Sequence, residues 1–72
     1  MIKKNKIKIK LNGKINYLPF NSSIGDLLKT FKIPLKKVAI ELNREIIDKN
    51  NLNKIRLKNK DIIEIVHFIG GG

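Results

Sequence analysis

Three consecutive glycines, Gly70-Gly71-Gly72, follow a run that alternates as a β-strand, Ile62-Ile-Glu-Ile-Val-His-Phe-Ile69. Read as a chain terminus, they present an α-carboxylate at the tip of a slim extension, the group here best placed for covalent chemistry. Glycine adds nothing to a core and loses more conformational freedom on ordering than any other residue, so a triglycine suits threading better than packing. At about 3.3 Å per residue, the four residues from Ile69 carry the carboxylate on the order of 13 Å from the folded body. Taken alone, the same three residues also describe a frayed end.

Other chemistry-bearing residues are few. The sequence has no cysteine, so it offers no disulfide, thiolate nucleophile or thiolate metal site, and a lone His67 does not make a metal constellation. A histidine beside a reactive terminus invites a general-base role, but at a sheet end it reads as structural, and no catalytic residue is assigned. Seventy-two residues allow one small core and little room for an enclosed active site, so an autonomous enzyme is not expected. No apolar run approaches the roughly 18 residues of a membrane span. The basic start, Met1-Ile-Lys-Lys-Asn-Lys6, leads into alternation rather than an apolar signal core. The expectation is a soluble protein of the cytoplasm, or of a plastid stroma if organelle-encoded, with no membrane association.

The formal charge of +10 raises nucleic-acid binding as an alternative, through a basic face running from Lys3 to Lys14. Two observations disfavour it. Lysine, isoleucine and asparagine dominate while arginine is confined to Arg44 and Arg56, the bias of an AT-rich genome. The aromatic residues Tyr17, Phe20, Phe31 and Phe68 are scattered through the elements rather than grouped among the lysines, as a base-stacking surface requires. Attraction to acidic partners is the better use of the charge.

The elements that position the tail are short. Ile7, Ile9 and Leu11 alternate with Lys6, Lys8 and Lys10, the pattern of a strand with one buried face. Asn12-Gly13 is the strongest short hairpin signal, because a type I′ turn needs positive φ at both central residues, and a second strand follows over 14–18. Ser23 with Asp26 three residues later forms a capping-box start for a helix. Ile24, Leu27, Leu28 and Phe31 then fall on one apolar stripe, read as ordinary core. Pro34 biases the residue before it out of helical geometry, so the helix should stop near Phe31 or Lys32. Val38–Leu42 alternates again, Asn43-Arg44 turns, and Glu45–Ile47 returns as a short strand. Residues 48–57 suggest a loop with one helical turn pinned by Leu52, Ile55 and Leu57. Lys58–Asp61 reads as a turn with Asn59 as its left-handed residue. The order β-β-α-β-β-β describes an α+β sheet with one helix on one face. In the last strand Ile63, Ile65, His67 and Ile69 share one face, and Glu64, Val66 and Phe68 the other. If the isoleucines face the helix, Val66 and Phe68 are either a docking surface or are covered by Tyr17 or another strand's side chains.

Val38-Ala-Ile-Glu-Leu-Asn-Arg-Glu-Ile-Ile47 and Asp61-Ile-Ile-Glu-Ile-Val-His-Phe-Ile-Gly-Gly-Gly72 closely resemble the ThiS family, the sulfur carriers of thiamin thiazole biosynthesis. The resemblance spans essentially the whole chain by length and element order, with its specificity in those two segments. It implies the ubiquitin-like β-grasp fold, a mixed sheet of four to five strands with one main helix packed on one face. Residues 1–68 would form the single domain and 69–72 a flexible glycine tail. It also implies that a ThiF-type enzyme uses ATP to adenylate Gly72, that a persulfide donor converts the acyl-adenylate to a thiocarboxylate, and that a ThiG-type thiazole synthase takes the sulfur. Gly72 would be the covalent carrier, Gly70 and Gly71 the threaded tail, and Val66, Phe68 and Ile69 docking residues, with no bound cofactor or metal. A MoaD-type carrier for molybdopterin synthesis shares the fold and activation and is the near alternative. Two departures stand out. Lys60-Asp61 occupies the place of the family's usual Gly-Asp pair, and no tryptophan lies near Leu52.

Overall fold

The computed structural model describes residues 6–68. Five strands and one helix follow the order β1 (Lys6–Leu11), β2 (Lys14–Pro19), α1 (Ile24–Thr30), β3 (Val38–Leu42), β4 (Glu45–Ile46) and β5 (Ile62–His67), with a single 3-10 turn over Lys49–Asn51. The sheet order is β2-β1-β5-β3-β4. β1 and β5 run parallel at its centre, while the β1–β2, β3–β5 and β3–β4 pairs are antiparallel. This is the β-grasp arrangement, with the last strand between the first and the third.

The hairpin forms as its sequence requires, with Asn12 at φ 50° and Gly13 at φ 85°. Pro19 closes β2 opposite Lys6, one residue beyond the expected end. β2 is an edge strand, so the missing proline N–H breaks no ladder bond. Ser23 Oγ accepts from Asp26 N at 3.0 Å and Asp26 Oδ2 accepts from Ser23 N at 3.0 Å, the reciprocal capping box. The Ser23 backbone N–H, ahead of smaller contributions from the Ser23 hydroxyl, Arg56 and Lys29, holds the Asp26 carboxyl below its ordinary value. Ile24, Leu27 and Leu28 then bury against Ile7, Ile9, Leu18, Val38, Ile40, Ile63 and Ile65 of the sheet, with Phe31 packed at the edge. Leu52 and Leu57 close the core from the 48–57 loop, and Ile55 packs against it, the three pins expected there. β4 ends at Ile46 rather than Ile47, although Ile47 N still donates to Ile40 O at 2.9 Å.

One turn differs from its sequence reading. Lys60, not Asn59, is left-handed, with φ 75°. Asn59 instead uses its side chain: Oδ1 accepts from Lys8 N at 2.8 Å, while Lys60 N donates to Lys8 O at 2.6 Å. Both main-chain groups of Lys8 are thus taken by successive turn residues, and presenting them together places the positive φ one residue later. That residue is the lysine standing where the ThiS family usually has glycine, and a side chain in this region carries steric strain that glycine avoids.

Candidate functional site at the end of the last strand

β5 is held by side chains from both neighbouring turns. Asn12 Oδ1 accepts from Ile65 N at 2.8 Å and Asn43 Oδ1 accepts from Ile62 N at 2.9 Å, while Asn12 N and Asn43 N donate to Ile63 O and Ile62 O. Left-handed residues suit such turns because asparagine tolerates positive φ and its amide can bond main chain. Phe68 N donates to Lys37 O at 2.7 Å, so main-chain pairing continues to the last described residue. The strand leading to the glycines is therefore anchored along its length by bonds that no local pattern in residues 62–68 reveals.

The two faces of β5 separate as parity requires. Ile63 and Ile65 are buried, whereas Glu64, Val66 and Phe68 are exposed, Val66 at 47% and Phe68 at 54%. Tyr17 does not cover them: it lies opposite Lys8 on the edge strand β2, with β1 between it and β5, and is itself 61% exposed. His67 pairs with the buried Val38 but is itself exposed. Gly70, Gly71, Gly72 and Ile69 lie outside the described residues.

The same open face carries apolar side chains that the reading of β5 alone did not reach. Ile15 pairs with Lys10 and Tyr17 with Lys8, and Lys10 pairs in turn with Ile62; Ile46 pairs with Glu41, which pairs with Glu64. Ile15, Tyr17, Ile46 and Ile62 are all exposed. Parity within β2 would have placed Ile15 and Tyr17 opposite Leu18. Of the aromatic residues only Tyr17 stands among Lys6, Lys8 and Lys10 on this face, while Phe31 packs against the core and Phe68 lies just past β5. The face thus carries exposed apolar side chains on β2, β4 and β5 with Lys10, Glu41 and Glu64 set between them, a mixed surface suited to docking a protein.

Among the described residues, no group of three or more His, Cys, Asp or Glu side chains is placed to hold a metal ion. No helix among them is long and apolar enough to cross a membrane.

The ThiS family model matches residues 9–72. The sulfur carrier protein ThiS of Bacillus subtilis is 42% identical over 65 residues, covering 89% of this chain and 98% of that protein. A protein of Magnetococcus marinus named thiazole synthase is 35% identical over 66 residues, which are 92% of this chain but 20% of the relative. In three dimensions, the thiamine biosynthesis protein ThiS of Geobacter metallireducens superposes with a TM-score of 0.80 at 26% identity, over 92% of this chain and all of that one. Sequence, length and architecture agree, and the chain belongs to the ThiS family of sulfur carrier proteins.

Proposed function

We propose that Gly72 is the carrier residue and that its carboxylate is activated, sulfurated and unloaded for thiazole synthesis by three successive partners. The observation that carries this reading is the 42% identity to the Bacillus subtilis sulfur carrier over nearly the full length of both chains. A carboxylate is a poor acyl donor because its oxygen leaves badly and its charge repels nucleophiles. A ThiF-type partner solves this with ATP: a Gly72 carboxylate oxygen attacks the α-phosphorus, the bond to the β-phosphate oxygen breaks, and pyrophosphate leaves. The terminal sulfur of a protein persulfide then attacks the acyl carbon and displaces AMP, giving an acyl disulfide. A thiol attacks the donor-side sulfur, forms a protein disulfide and frees the thiocarboxylate. Its sulfur is a far better nucleophile at neutral pH than a carboxylate oxygen.

In this scheme the chain contributes no catalytic residue. Gly70 and Gly71 keep the approach to Gly72 slim, and Val66, Phe68 and Ile69 meet the partner beside the entrance to its cleft. Thiazole synthase as the acceptor is supported by the Magnetococcus marinus relative, in which a segment like this chain makes up about a fifth of a protein bearing that name. The names carried by these relatives favour the thiazole route over molybdopterin synthesis and over RNA binding.

The test is the intact mass of the chain after incubation with its adenylating enzyme, ATP and a persulfide donor. One oxygen at Gly72 replaced by sulfur supports the proposal; an unchanged mass sinks it. Removal of Gly71 and Gly72 abolishes the reaction and leaves the melting temperature unaltered.

A further inference from the structure

The open face is polarised in charge, and its basic half surrounds a groove. Lys8, Lys10 and Lys60 rim a depression of about 290 Å³ whose apolar lining includes Ile15 and Ile62. Asp61 also lines it, but its oxygens already accept bonds, Oδ1 from Asn43 Nδ2 at 3.1 Å and Oδ2 from Lys58 N at 2.7 Å. Three ammonium groups against one engaged carboxylate leave the groove cationic. Across the sheet, β3 and β5 set Glu41 directly opposite Glu64.

This arrangement does not serve the free chain. Lys8 and Lys10 project from the same face about 7 Å apart along β1, and opposite-charge cross-strand pairs are the arrangement that stabilises a sheet. Here Lys8 faces Tyr17, Lys10 faces Ile15 and Glu41 faces Glu64, with no lysine opposite a glutamate in any of the described strand pairs. Like charges are grouped and apolar side chains are left beside them, the composition of a surface completed by another molecule.

The groove's position says what it would add. Ile62 lies at the start of β5 and Phe68 directly after its last residue, about 20 Å apart at the rise of a strand. A carrier held only by a threaded tail is free to swing about that point. A second contact at the far end of the same face sets its orientation.

We propose that the groove of Lys8, Lys10, Lys60, Ile15 and Ile62 is a distal anchor that receives an acidic side chain, flanked by apolar ones, from the adenylating enzyme. The proposal rests on the sulfur-carrier reading for the identity of the partner. Charge complementarity chooses the occupant: the rim demands carboxylates, and the floor demands apolar contact. Glu41 and Glu64 favour a basic region on the other side of the same partner, so the carrier seats in one rotation only.

The test is ATP–pyrophosphate exchange by the purified adenylating enzyme, with the carrier as the varied substrate. The double substitution Lys8→Glu with Lys10→Glu raises KM by about ten-fold and leaves kcat unchanged. Lys29→Glu with Lys54→Glu makes the same change in net charge on the helix side and leaves KM within about two-fold. Circular dichroism and melting of both variants verify that each is folded. An unchanged KM in the β1 variant overturns the anchor, as does an equal rise in both variants, which would assign the effect to net charge alone. Binding of a random-sequence single-stranded RNA that is lost in the β1 variant, with KM unaltered, also overturns it and assigns the lysines to nucleic acid. The carrier reading is judged separately: exchange by the wild-type chain that disappears without Gly71 and Gly72 upholds it whatever the lysine variants do. Absence of wild-type exchange overturns that reading and the anchor with it.

Discussion

On one face of the sheet Ile7, Ile9, Leu18, Val38, Ile40, Ile63 and Ile65 lie under α1 and the 48–57 loop; on the other, Ile15, Tyr17, Ile46, Ile62 and Val66 meet solvent. The residue types are much the same. Ile62 and Ile63 are consecutive and chemically identical, yet the first is 43% exposed and the second fully buried. A side chain's contribution follows from what covers it: under the helix, isoleucine stabilises the fold, and on the open face it is available to a partner. Among the described residues one α-helix covers the sheet, on one face, and the second face is left open to recognition.

Substitution at these neighbours tests the contrast most severely. Ile63→Ala should destabilise the chain by about 3 kcal/mol through lost burial and a residual cavity, and Ile62→Ala by less than about 1 kcal/mol. Urea unfolding measures both, and similar values would erase the distinction between the faces. The complementary experiment removes open-face side chains without touching the core. Val66→Ala with Phe68→Ala should raise KM for the adenylating enzyme by about ten- to a hundred-fold, in the range of truncated interface anchors, while shifting the melting temperature by no more than about 2 °C. A large loss of stability instead would show that the two residues serve the fold.

Smaller effects sharpen the picture at the turns. Lys60→Gly should stabilise the free chain by about 0.5–1 kcal/mol, the relief of left-handed strain less the extra freedom of glycine when unfolded. Thermal melting reads it, and a destabilised variant would mean that the lysine stem makes packing contacts that outweigh the strain. The smallest effect is at the helix start. The Asp26 carboxyl is held below its ordinary value chiefly by the Ser23 N–H, so its contribution is present above the unfolded value, roughly pH 4. It is lost as pH falls through the lower folded value. Asp26→Asn should flatten the acid limb of the stability–pH curve, measured by melting between about pH 2 and pH 6, and an unaltered limb would place the acid sensitivity elsewhere.

Much of the fold was legible because the relevant physics is local. Alternation in Lys6–Leu11, the Asn12-Gly13 turn and the Ser23/Asp26 box each involve residues within a few positions of one another, and each formed as read. The Lys58–Asp61 turn did not. Its geometry answers to Lys8, whose N–H donates to the Asn59 side chain and whose carbonyl accepts from Lys60 N across about fifty positions of sequence, and this moved the left-handed residue from the asparagine to the lysine. The candidate site divides in the same way. Parity within one strand was enough to place Val66 and Phe68 opposite Ile63 and Ile65. Gathering Ile15, Tyr17 and Ile46 onto their face required the strand order, which brings β2 and β4 to the two edges of a single sheet.

Read alone, the residues establish a short α+β chain with alternating strands, a capped helix and a glycine run resembling that of the ThiS carriers. They do so because side-chain alternation, turn chemistry and capping depend on neighbours in sequence. The tertiary structure alone decides which apolar side chains remain uncovered, which asparagines brace β5, and how three lysines come to rim one groove. Those outcomes depend on which strands lie side by side, and pairing between positions far apart in sequence is set by packing of the whole sheet against its single helix.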